Sequence, residues 1–167
     1  MKQTLIIFAL SIGMYACTNA DDARNKENIA IVEQYIAAVE AENPDAMANL
    51  LADNYKGFGP SLNDSTTKVD AVANWTSNCE SLYESIDYSK FQMIAVVVGE
   101  DEAMPGEWVS SWAETVIKYK DGRGPVKVWV NAVYKIENGK IALSRTFYNE
   151  ADVLEQLGYT FTNFSEL

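Results

Sequence analysis

Near Phe91 the hydrophobic period of this chain changes from helical to two, and that change confines it to helices followed by a sheet. From Glu27 to Glu42, Ile29, Val32, Tyr35, Ile36 and Val39 recur at spacings of three and four, the mark of a helix with one buried face. Asn43-Pro44 ends it and starts a second, with Asn43 as cap, Pro44 at its first position, and Met47 and Leu50 on its apolar side. Tyr55 to Phe58 reads as a short extended piece turned by Gly59-Pro60, and Thr67 caps a third helix carrying Val69, Val72, Trp75, Cys79 and Leu82. Strand patterns then occupy Phe91–Val98, Trp108–Tyr119, Val126–Ile136 and Ile141–Tyr148. Three helices followed by about four antiparallel strands give an α+β domain with its helices on one sheet face.

The stretch from Glu137 to Gly158 fixes the end of that sheet. Asn138-Gly139 suits a type I′ turn, in which both central residues need positive φ. Asn149 caps a short closing helix, Asp152 sits near its positive end, and Gly158 suits a left-handed stop.

The first 16 residues read as a targeting segment, with Lys2 as its positive end and Leu5 to Ile12 as its apolar stretch, too short to span a bilayer as a mature helix. Met14-Tyr15-Ala16-Cys17 resembles the bacterial lipobox, whose cysteine is acylated and becomes the mature N-terminus. The organisation expected is a signal peptide over 1–16, an acylated Cys17 with a tether over 17–26, and one domain over 27–167. The corresponding location is the bacterial envelope, lipid-anchored, on the periplasmic or outer face of the outer membrane. Cys79 is then the only remaining thiol, so no internal disulfide forms and packing alone holds the core. Beyond residue 16, 24 acidic residues face 12 Lys and Arg, a net charge of about −12 that argues against nucleic acid as a partner.

Two segments, YIAAVEAENPDAMANLLADNYKGFGP (35–60) and GKIALSRTFYNEADVLEQLG (139–158), resemble the opening and closing of the nuclear transport factor 2-like superfamily, which includes ketosteroid isomerases and SnoaL-like cyclases. The resemblance implies a cone: a curved antiparallel sheet wrapped around three N-terminal helices, a short C-terminal helix, a mostly apolar cavity at the wide end, and an outer sheet face that pairs in a homodimer.

The resemblance also supplies tests of chemistry. Ketosteroid isomerases use a helix Tyr, which Tyr35 matches, and an Asp before the turn Pro, a position that falls on Gly59 here. The later strand Asp is missing from Val126–Ile136, and the chain has no His for proton transfer near neutrality. Among the remaining acids Glu114 is the first choice for a catalytic carboxylate with Tyr35, because it shares a strand face with Trp112; the alternative is a cross-strand pair with Lys127 or Arg145. Tyr35, Tyr55, Trp75, Trp112, Trp129, Asn131 and Arg145 are the candidate ligand contacts, Arg145 as a clamp for an anion or as a structural ion-pair partner. The aromatics either line a pocket or fill the cone, so the function expected is non-catalytic binding of a small hydrophobic ligand or a protein partner. The alternatives are an isomerase, lyase or cyclase using a cavity carboxylate, and a structural dimer with a filled cavity. No Cys/His cluster suggests a metal, and no cofactor motif is present.

Overall fold

In the computed structural model, backbone is described for residues 2–162 and side chains from residue 21 onward. Helix α1 runs Lys2–Glu40, α2 Pro44–Leu50, strand β1 Leu51–Phe58, β2 Thr66–Thr67, α3 Lys68–Ser81, β3 Tyr83–Val98, β4 Gly106–Tyr119, β5 Val126–Glu137, β6 Lys140–Phe147 and α4 Glu150–Gln156. The Cys17 side chain lies outside the described residues. No described helix is long and apolar enough to cross a membrane.

The strands form one curved, unclosed sheet in the order β2-β1-β6-β5-β4-β3. It is antiparallel except for β1 and β6, which run parallel. The Asn138-Gly139 turn has φ of 52° and 71°, matching the twist of β5 and β6. Asn43, Thr67 and Asn149 all cap helices as expected, each accepting a backbone N–H three residues on. Gly158, at φ 87°, closes α4 with bonds from its own N–H and that of Tyr159 back to the carbonyls of Glu155 and Leu154.

β3 starts eight residues before the expected Phe91, at Tyr83. Ile86 and Tyr88 face the helices in its first half, and Phe91, Met93 and Ala95 in its second. A bulge at Ser89–Gln92, with Lys90 at φ 52°, switches the parity between them. The period-two pattern slips by one at that point, so the first half does not register as part of the same strand.

Alternation divides the other strands as expected. Val109, Ser111, Ala113 and Thr115 of β4 turn toward the helices, while Trp108, Ser110, Trp112 and Glu114 turn outward. The core sits between the inner face and α1, where Val32 is fully buried and Ile36 and Val39 nearly so. A second cluster joins Val39, Met47 and Ile86 under α2. Along α3 only Ala71 is buried; Val69 is exposed, against its expected place on the apolar side, and Cys79 is half-buried. Partial burial raises the Cys79 thiol pKa, which leaves it inert.

The start of α1's described side chains is fastened by polar contacts. Asn28, itself buried, donates from Nδ2 to Glu107 Oε2 at 2.7 Å, and Arg24 Nε lies 3.5 Å from Glu107 Oε1. Both contacts reach Glu107, the second residue of β4, from one helix face.

Candidate functional site

The sheet's inner face is narrow in the middle. Ser111 pairs with Ala132 across β4 and β5, Ala113 with Val130, and Ser144 lies opposite Tyr134. These small side chains leave space on the inner face, and a cavity of about 660 Å³ opens above them. Tyr35 and Val39 of α1, Trp75 and Asn78 of α3, Tyr55 of β1 and the turn at Gly59-Pro60 close its sides. The aromatics therefore line the cone without filling it.

Its floor is a set of hydroxyls. Tyr55 Oη and Ser144 Oγ are 2.7 Å apart and buried. Tyr35 stacks edge-on to Tyr134, with ring centroids 6.1 Å apart. Burial, followed by the neighbouring Tyr55, Tyr134 and Tyr88, holds the Tyr35 phenol well above its ordinary pKa, against a smaller opposing hydrogen bond from Trp75. Tyr134 is raised for the same first reason, and Tyr88 is pushed up to about 12 by burial and then by Glu40. All remain neutral hydroxyls near neutrality, able to donate and accept hydrogen bonds.

Tyr35, Tyr55 and Trp75 therefore lie together on the cavity wall. Glu114, Trp112, Trp129, Asn131 and Arg145 do not, and their expected place in the cavity is corrected: all five sit on strand positions of outward parity. Glu114 is held between Lys127 and Lys90, each Nζ 2.9 Å from a carboxylate oxygen, so the pair weighed with Lys127 is the one formed. Only 14% of its side chain is accessible, but the cover is two lysine side chains that are 63% and 59% exposed themselves. The hydrogen bonds from Lys127 and then Lys90 lower its pKa, the opposite of what a neutral-pH acid or base needs. Trp129 is 55% exposed, with Lys90 Nζ 5.8 Å from its ring. Asn131 donates to the Ser111 carbonyl at 2.8 Å and so braces β4 against β5. Arg145 lays its guanidinium 4.8 Å from the Phe58 ring centroid and pairs with neither Glu114 nor Glu150.

The one carboxylate on the cavity lining is Asp64, from the loop after Gly59-Pro60. A Cβ on Gly59 would lie 2.9 Å from Asp64 Oδ2 and 3.1 Å from its Cβ. The bare glycine leaves room for this carboxylate to fold back over the turn. Sequence reasoning named neither Asp64 nor the small residues of the floor. The floor had a visible signal, because Ser111, Ala113, Ala132 and Ser144 are all inward by alternation; Asp64 had none, since loop geometry brings it back.

The sequence profile of the SnoaL-like domain matches residues 32–144, which spans both clusters of the core and most of the cavity wall. No curated protein matches the sequence. Among solved structures, a Catenulispora acidiphila protein with a ketosteroid isomerase-like fold, in complex with trimethylamine, is similar at 18% identity and a TM-score of 0.61, over 80% of this chain and 97% of that one. An LEH-like epoxide hydrolase of M. tuberculosis is similar at 18% identity and 0.58, over 80% and 91%. An NTF2-like protein of Burkholderia xenovorans LB400 matches at 15% identity and 0.58, over 80% and 97%. At these identities the likeness is one of fold. The profile match, with the helix order, the unclosed sheet and the cavity it encloses, makes this chain a member of the SnoaL-like domain family, on the ketosteroid isomerase-like cone fold.

Proposed function

We propose that this protein binds a small, largely apolar molecule in its cone and does not turn it over, acting at the bacterial envelope through an acylated Cys17. The observation that carries the reading is the 660 Å³ cavity floored by neutral hydroxyls. A space of this size holds a drug-sized ligand, and the buried tyrosines give it polar anchors without a charge to desolvate. The solved relative captured with trimethylamine supports the view that this fold holds small organic molecules.

The non-catalytic reading is supported by where the other titratable groups stand, Asp64 being the one carboxylate on the lining. The cavity tyrosines are raised further from neutrality by burial, and Glu114 is lowered and faces away. General acid–base catalysis works best with a group whose pKa lies near the working pH. Ligand titration by thermal shift against sterols, polyketides and fatty acids tests the binding. Ala132→Leu, which adds bulk to the floor, should abolish any shift. Turnover of a bound compound by the wild-type protein would replace this reading with an enzymatic one.

The outer sheet face presents Ile94, Val96, Trp129 and Phe147, each at least 45% exposed, and we assign it to pairing with a second copy. Trp129→Glu should convert a dimer to a monomer in sedimentation; a wild-type monomer would refute the pairing. Cys17→Ser should release the protein from the membrane fraction, and an unchanged distribution would refute the anchor.

A further inference from the structure

We propose that the ligand this cavity selects is an organic cation, a protonated or quaternary amine, with its head between aromatic rings and the Asp64 carboxylate at the mouth. The inference rests on the ligand-binding reading above and specifies its chemistry.

Three features of the cavity point the same way. First, its wall is rich in aromatic side chains, among them Tyr35, Tyr55, Trp75, Tyr88 and Tyr148, and carries no Lys or Arg. A ring face is the negative end of an aromatic quadrupole, and several converging rings are how proteins hold quaternary ammonium groups. Second, the nearby cations are turned away: Lys90 and Lys127 bind Glu114 on the outer face, and Arg145 lies against Phe58 from its outward-facing strand position. Asp64 is thus left without a Lys or Arg partner among the described side chains, and no Lys or Arg lines the wall, Arg145 touching it only through the Phe58 ring.

Third, Asp64 is placed by the fold. It reaches the mouth because residue 59 is glycine, whose missing Cβ leaves the space where the carboxylate rests. Asp64 is exposed, so water still reaches a head group bound there and the cost of desolvating the charge stays small. A protonated tertiary or a quaternary head, with three or four carbon substituents, offers the rings apolar contact as well as charge. The apolar remainder of the ligand then extends inward over Ser111, Ala113 and Ala132. The acidic balance of the whole chain adds a field that draws cations and repels carboxylates and phosphates.

The probe is choline set against its uncharged carbon isostere, dimethylbutanol, titrated into the full chain and followed by NMR through the Trp75 indole signal. Choline is expected to bind at least about tenfold more tightly, the increment that ring faces and one carboxylate supply. Asp64→Asn should weaken choline about threefold and leave dimethylbutanol unchanged, the size of a partly exposed ion contact. Equal affinity for the two probes overturns the cation inference while leaving small-molecule binding in place. Failure of both probes overturns the cation inference, and failure of every sterol, polyketide and fatty acid in the thermal-shift panel as well overturns ligand binding itself. A choline preference that survives Asp64→Asn in full, in a variant whose circular dichroism matches the wild type, removes Asp64 from the site.

Discussion

Tyr55 of β1 and Ser144 of β6 share a buried hydrogen bond of 2.7 Å, which ties the parallel pair of the sheet together beneath the cavity. Parallel pairing sets Ser144 opposite Gly57, and the Tyr55 side chain reaches it along the strand although the two lie 89 positions apart in the chain. Tyr55→Phe leaves the Ser144 hydroxyl without its partner and should cost about 1–2 kcal/mol in urea unfolding. Ser144→Ala should cost a similar amount, and the double variant less than the sum, because the pair acts as one unit.

Gly57 stands directly below that bond. A Cβ there would lie 2.6 Å from the Tyr55 hydroxyl oxygen and 2.9 Å from Thr66 Cγ2, and the hydroxyl cannot retreat without breaking its contact with Ser144. Gly57→Ala should therefore destabilise by about 1–3 kcal/mol. Gly99→Ala meets nothing within 4 Å and serves as the control, with little change in the urea midpoint.

Glu114→Gln should leave ligand affinity intact, because the side chain lies on the other side of the sheet from the cavity. Its effect belongs to stability and to acid pH. The folded carboxyl is depressed by hydrogen bonds from Lys127 and Lys90, so its contribution is present above the unfolded carboxylate pKa and is lost as pH falls through the lower, folded one. The gap in melting temperature between wild type and Glu114→Gln should close in that acid window. A gap that persists at the lowest pH would show that the lysine contacts are not its source.

At the alkaline end two buried tyrosines, Tyr88 of the cavity wall and Tyr83 packed against Trp75 and Tyr119, control stability. Tyr83 and Tyr88 are each raised to about 12, mainly by burial, against an ordinary value of 10.0. The folded state holds these protons more tightly than the unfolded chain, so their contribution is complete below pH 10 and is lost as pH rises from 10 toward 12. Tyrosinate absorbance and the loss of near-ultraviolet circular dichroism should rise together across that window. Tyrosinate formed well before the dichroism falls would show that these phenols are open to solvent.

Much of the scaffold was legible because local chemistry determined it. Asn43, Thr67, Asn149, Gly158 and the Asn138-Gly139 turn each act within a few residues, and all act as their side chains predict. β3 was legible only in part, because the bulge at Lys90 resets its alternation. The site was harder for a different reason. Alternation sorted β4 into two faces correctly but carries no sign, and the face bearing Trp112 and Glu114 is the outer one. Large aromatics suggested the cavity wall, whereas its floor is defined by the small Ser111, Ala113 and Ala132, which leave space. Asp64 depends on a loop that folds back five positions, a relation that periodicity does not encode.

The contacts of Asn28 and Arg24 with Glu107 work like the strain relief on a cable. Tension applied to the chain ahead of Arg24 meets these contacts with Glu107, the second residue of a strand laddered to both β3 and β5, before it meets the buried part of α1. Tyr35, the ring that α1 contributes to the cavity, lies beyond this fastening on a later turn of the helix. A domain tugged from its N-terminal side would thus keep the shape of its pocket while the load passes into the strands.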